Sequence, residues 1–207
     1  MNETLARTAE AWKLPLDTAV VERLEHFASL ITSKNENINL VSRKDISNLW
    51  ERHIIDSLAF YPLVARLNLS SEGLKIADIG AGGGFPSLPL ACLMEKTSFS
   101  LFESSLRKYE FLLWAAGELK LSNVSVFKKR VEKTDLAEFD ICLERAAGEP
   151  QEIIPLCKNL CRADGHAVIW QYERNLSKIE KTNPPYFIYN YSIGEEAGRT
   201  LLVFRRS

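Results

Sequence analysis

The chain has few of the residues that build metal centres: three histidines in 207 residues, and four cysteines without a Cys-x-x-Cys pair among them. Cys92, Cys142, Cys157 and Cys161 sit in or beside apolar runs, which fits packing in a reduced protein and excludes a zinc ribbon or a disulfide framework. Charge of one sign is also missing. The net charge of −1 excludes a generic DNA-binding surface, which would carry a basic excess. No apolar run approaches a membrane span, and MNETLARTAEAW has no apolar core of signal-peptide length, so a cytoplasmic protein without membrane contact is expected. Repeats and low-complexity segments are absent too. What is present, 46% hydrophobic and 26% charged residues, is enough for a full globular core.

Residues 1–72 read as helical. From Asp17 the apolar positions Val20, Leu24, Phe27, Ala28 and Ile31 recur at helical spacing. Asp45 is placed to cap a second helix carrying Ile46, Leu49, Trp50 and Ile54 on one face, with Pro62 near its end. Ser70-Ser71-Glu72-Gly73 marks a soft boundary before residues 73–207. Beyond it, strand patterns at Lys75–Ile79, Ser98–Phe102, Val124–Phe127, Phe139–Leu143 and His166–Trp170 alternate with helical ones at Ser87–Met94, Ser105–Leu119 and Pro150–Leu160. That alternation predicts a parallel sheet with helices on both faces. YFIYNYSI and TLLVF, separated by a glycine-containing loop, predict a closing hairpin that adds one antiparallel strand. The expected class is α/β, Rossmann-like, with a seven-stranded, mostly parallel sheet and an N-terminal helical extension.

Between the first strand and its helix the chain reads ADIGAGGGFPS, with four glycines in five residues. Ligands of doubly wound sheets bind at this turn. Gly80, Gly82 and Gly84 alternate, but Phe85 stands where a dinucleotide fingerprint has its third glycine. Pro86 and Pro89 remove N–H groups that a pyrophosphate would need from the first helical turn. No Gly-Lys-Ser/Thr follows, which excludes a P-loop. An adenosine ligand without phosphate fits better: S-adenosyl-L-methionine, with Asp78 near its ammonium. Glu103, ending the second strand in LFESS, is placed to accept hydrogen bonds from ribose hydroxyls.

NENINLVSRKDISNLWERHIIDSLAF, IADIGAGGGFP, FESSLRKYEFL, KRVEK and ERAAG together resemble the RsmG/GidB family of bacterial 16S rRNA guanine-N7 methyltransferases. The first segment carries the specific Asn-Leu…Arg-His-x-x-Asp-Ser-Leu signature in Asn39, Leu40, Arg52, His53, Asp56 and Ser57. The resemblance implies the class I methyltransferase fold, with Gly80 and Phe85 lining the cofactor and Glu103 at its ribose. It puts Val131 and Glu132 at the adenine and Arg145 beside cofactor and target base, as the catalytic candidate. The chain departs from the family pattern at Ser87 for Gly, Glu103 for Asp, and Trp170-Gln171 for Lys-Gly.

The residues also screen the acceptor. Cytosine C5 chemistry needs a cysteine nucleophile, typically in Pro-Cys, and no Pro-Cys occurs. Amine methylation commonly uses an Asp/Asn-Pro-Pro-aromatic element after strand four, where this chain has Glu144-Arg145-Ala146-Ala147; Asn183-Pro184-Pro185-Tyr186 has those letters far downstream. Guanine N7 needs neither device. RNA-contacting candidates are Arg43, Lys44, Arg52, His53, Arg107, Lys108 and Lys128, with 16S rRNA or the small subunit as partner and a monomer as the expected state. His53 reads first as a hydrogen-bonded histidine at a helix–domain seam, and a role near RNA or cofactor is what the resemblance adds. Two alternatives stand beside this reading: a methyltransferase for another RNA or a small molecule, and a non-catalytic ribosome-binding module of the same fold.

Overall fold

A computed structural model describes residues 2–132, 138–176, 179 and 184–206. Helix α1 (Glu3–Trp12) leads into α2 (Thr18–Ile38), whose first turn is capped by the Asp17 carboxylate accepting from Val20 N at 2.8 Å. The second helix does not form as expected. Asp45 makes no cap; its carboxylate accepts from Ser42 Oγ at 2.6 Å and Arg52 Nη1 at 2.9 Å. Without a cap, the segment breaks into a 3-10 turn (Ile46–Asn48), one wide turn (Trp50–Ile54), α3 (Ile55–Leu58) and α4 (Phe60–Arg66). Pro62 lies in the first turn of α4 rather than at an end, because a first-turn residue has no helical partner for its N–H in any case.

The sheet follows: β1 (Lys75–Ile79), α5 (Ser87–Leu93), β2 (Ser98–Glu103), α6 (Leu106–Glu118), β3 (Val124–Lys128), β4 (Phe139–Glu144), α7 (Pro150–Leu160), β5 (Cys161–Tyr172), β6 (Phe187–Ile193) and β7 (Glu196–Arg205). Strand order is β3-β2-β1-β4-β5-β7-β6, with β7 antiparallel to both neighbours and the rest parallel. The expected seven strands and single antiparallel strand are therefore present. β5 is longer than its apolar run at both ends, and β7 begins ahead of TLLVF, so that Arg199 lies inside the strand.

Alternation along the strands divides the core. Ile76, Leu101, Leu143, Val168 and Leu201 face one way and join Leu24, Phe27, Ile31, Ile54, Leu58 and Phe60 of the N-terminal helices in one cluster. Ala77, Cys142, Ala167, Ile169 and Leu202 face the other way, onto Ile153, Ile154 and Cys157 of α7. All four cysteines are buried and free. The N-terminal helices thus share their core with one face of the sheet, and the turn before α3 is held beside the carboxyl ends of the parallel strands.

Candidate functional site

At those carboxyl ends the glycine loop folds back over β2. Gly80 N and Ala81 N donate to Phe102 O at 2.8 and 3.2 Å, and Gly82 N donates to Glu103 Oε2 at 3.0 Å. These N–H groups are engaged, so the loop offers no phosphate cradle there, in agreement with the argument against a dinucleotide. Gly80 has φ 68°, and a Cβ on it would lie 2.6 Å from Ala147 Cβ. Only glycine lets the loop after β4 close against the loop after β1.

Two recesses meet at Gly80. The first, about 420 Å³, is walled by Gly82, Phe85, His53, Arg52, Lys108 and Arg145, with Trp170, Tyr172, Tyr191 and Arg199 behind. The second, about 320 Å³, lies between Ile79, Phe102 and Val131 on one side and Gly148, Ile153 and Leu156 on the other. Near the end of β1, Asp78 is fully buried, and among the described residues neither carboxylate oxygen has a hydrogen-bond partner. Burial pushes its pKa up to about 7; the Ser87 hydroxyl opposes this from nearby without completing a bond, and the Glu144 and Glu103 carboxylates add to the rise. Glu144 is likewise raised to about 7 by burial. A buried acid in this condition gains from any cation brought within reach.

Glu103 is buried, with Oε1 accepting from Ser105 N at 2.7 Å and Oε2 from Gly82 N. Each carboxylate oxygen accepts more than one bond, so both remain able to take ribose hydroxyls. Val131 is buried among Ile79 and Phe139 at the wall of the second recess, and Glu132 is exposed beside it.

The basic candidates separate. Arg52, His53, Lys108 and Arg145 line the first recess, whereas Arg43, Lys44, Arg107 and Lys128 are exposed outside both. His53 is packed 5.0 Å from the Phe85 ring. Its burial, reinforced by the Arg145 charge, lowers its pKa to about 4, so it is neutral at physiological pH. It packs between the helical region and the glycine loop, but its Nε2 has no hydrogen-bond partner among the described residues.

Arg145 is held by a residue to which the sequence gave no role. Asp56 is 4% exposed; Oδ2 lies 3.0 Å from Arg145 Nη2, while Oδ1 accepts from Arg199 Nη1 and Tyr191 Oη, both at 2.7 Å. Arg145 also donates to Arg52 O, and Trp170 Nε1 donates to Asp56 O at 3.1 Å. Arg199 Nη2 takes Glu196 as a second partner at 2.7 Å. Two arginines against Asp56 and Glu196 make a cluster of zero net charge. The acid in direct contact with Arg145 is therefore Asp56, from the N-terminal region. Arg199 stands just ahead of the apolar run TLLVF and is buried because it is paired.

A seven-stranded sheet of this order, a glycine loop at its switch point and an acid ending β2 define the class: a Rossmann-like methyltransferase fold. Solved structures agree. The T. thermophilus 16S rRNA N2 G1207 methyltransferase RsmC, in complex with AdoMet and guanosine, superposes with a TM-score of 0.56 at 18% identity, over 76% of this chain and 43% of that one. The model of the GidB family, rRNA small subunit methyltransferase G, matches residues 20–191, and the chain belongs to that family. Among relatives, the ribosomal RNA small subunit methyltransferase G of Sorangium cellulosum is 37% identical over 83% of this chain and 72% of its own length. That of Wolinella succinogenes is 34% identical over 86% and 89%.

Proposed function

We propose that the chain binds S-adenosyl-L-methionine and methylates N7 of a guanine in 16S rRNA of the small ribosomal subunit. The observation that carries the cofactor is the meeting of two recesses at Gly80, two residues after the buried carboxylate of Asp78. Ile79, Phe102 and Val131 would hold the adenine, with Glu132 at its edge. Glu103 would hold the ribose, and Asp78, Gly82, Gly84 and Phe85 the amino-acid end. When bound, the cofactor supplies a methyl group on a sulfonium, open to attack by a lone pair.

Guanine N7 has such a lone pair and no proton to lose at neutral pH, so the residues need only hold the base in place and exclude water. Arg145 is suited to this because Asp56 and the Arg52 carbonyl fix its guanidinium at the recess wall. The zero net charge of its cluster keeps it from opposing the cation that N7 methylation creates. Arg52 and Lys108 at the recess, with Arg43, Lys44, Arg107 and Lys128 around it, supply phosphate contacts.

The test incubates the protein with labelled cofactor and small subunits from cells lacking this chain. The RNA is then treated with borohydride and aniline, which cleave at N7-methylguanosine. Label with cleavage is expected. Label without cleavage would keep the methyltransferase and remove the N7 assignment; no label on any subunit preparation would remove the rRNA substrate.

A further inference from the structure

At the opposite edge of the sheet, by the amino ends of the parallel strands, lies a third recess of about 400 Å³. It is lined by Arg66, Asn68, His166, Tyr186, Phe187 and Arg205. Nothing in the methyl-transfer site uses it. His166 and Tyr172 bracket the length of β5 between the two edges, about 20 Å at roughly 3.3 Å per residue.

Its contents are aromatic rings and guanidinium groups. Tyr186 is 61% exposed, an unusual state for a large ring. Yet it is not loose: Tyr186 N donates to Val203 O at 2.7 Å, extending the β6–β7 ladder by one bond. The Arg205 guanidinium stands 5.8 Å from its ring centre, and the His166 ring 6.1 Å away. Across the recess, Arg66 stands 5.2 Å from the Tyr189 ring. Among the described residues no carboxylate lines the recess. Asp164 pairs with Arg205 at 2.9 Å from outside, and both side chains are largely in water, where such a pair is weak.

We propose that this recess is a second contact for the RNA substrate, seating one unpaired nucleotide with its base on Tyr186 and its phosphate between Arg66 and Arg205. The inference rests on the rRNA reading above. A fixed ring with an open face beside two cations is the arrangement that binds single-stranded nucleic acid, since every base stacks and every nucleotide carries a phosphate. A lone nucleotide cannot reach both this recess and the glycine loop, but a folded rRNA can. The site therefore adds affinity for the large substrate and nothing for the cofactor. It also accounts for Pro184-Pro185-Tyr186, which stands far from the place where an amine-methylating element would act.

The experiment compares wild type with Tyr186→Ala, Tyr186→Phe and Arg66→Ala. Substrates are small subunits from cells lacking this chain and their deproteinised RNA. KM, kcat, RNA binding as a function of salt, and cofactor affinity are measured. Tyr186→Ala should raise KM about tenfold on both substrates, the size expected for one lost stacked base. Its kcat and cofactor affinity should be unchanged, and Tyr186→Phe should restore wild-type KM. Arg66→Ala should weaken binding and flatten the dependence of log K on log salt by about one contact. Unaltered KM in an active Tyr186→Ala protein overturns the site. A defect on whole subunits but not on their RNA overturns it in favour of a protein partner. If wild type modifies neither substrate, the rRNA reading itself fails, which is a separate outcome.

Discussion

Replacing Asp56 by Asn tests whether the acid holds the N-terminal helices, the β6–β7 hairpin and Arg145 together. The carboxylate takes three donors, at 2.7, 2.7 and 3.0 Å, in a site with almost no solvent. An amide keeps one acceptor oxygen and turns an N–H₂ toward a guanidinium, so at least one donor is lost. The larger cost falls on Arg199, which is 2% exposed and would keep only the half-exposed Glu196. Breaking a buried pair by removing one partner costs about 3–5 kcal/mol. Whole domains are stable by only about 5–15 kcal/mol. At about 2–4 °C per kcal/mol for a chain of this size, Tm should fall by about 10 °C.

Urea denaturation at pH 7.5 gives the free energy, and thermal circular dichroism gives Tm. A double change, Asp56→Asn with Arg199→Met, should recover part of the loss, because it removes the stranded charge as well as its partner. A single variant within about 1 kcal/mol of wild type would show that the cluster is not a clamp, and so would strictly additive single and double changes.

Three further outcomes follow from the geometry. Asp78 and Glu144 are held near pH 7 in the folded protein against ordinary values of 3.8 and 4.5. The folded state therefore binds more protons than the unfolded one between about pH 4 and 7, and stability falls as pH rises through that window. Asp78→Asn should flatten this fall by on the order of 4 kcal/mol between pH 4 and 8. The variant–wild-type difference is the readout, since His53, lowered to about 4, tilts the profile the opposite way between about pH 4 and 6.5; parallel urea midpoints would refute the reasoning. Glu103→Gln should weaken cofactor binding by about 1–3 kcal/mol in calorimetry, and equal affinity would move the ribose contact elsewhere. Gly80→Ala, whose Cβ meets Ala147, should lower Tm more than Gly82→Ala, whose nearest neighbour is 3.6 Å away; the reverse order would contradict the loop packing.

Much of the fold was legible because its signals are local. Apolar residues at helical spacing, an aspartate cap at Asp17 and alternation along β1 to β5 act within a few residues. The glycine loop was legible as well, since three alternating glycines at a strand–helix turn are rarely needed for a turn alone. The segment after Asp45 was misread for the opposite reason. A capping residue was at hand, but Arg52 and Ser42 compete for its oxygens, and that competition exists only in the folded arrangement. Arg199 was missed because its partner Asp56 lies 143 residues away in the chain. A pattern of short range carries no information about that pairing.

Trp170 shows how the two kinds of information combine. Where the family pattern has Lys-Gly, this chain has Trp170-Gln171, a change that removes one cation. In the folded chain its ring is buried, 6.5 Å from Phe60, and its indole N–H donates to the carbonyl of Asp56. The residue that fixes Arg145 through its side chain is thus itself fixed through its backbone by Trp170. A buried indole whose N–H is satisfied stabilises the seam and presents no charge to solvent. The positive charge that lines the first recess in front of this wall includes Arg52, from the turn before α3, and Lys108, from α6. The departure is therefore better read as reinforcement of the wall behind Arg145 than as loss of the wall's function.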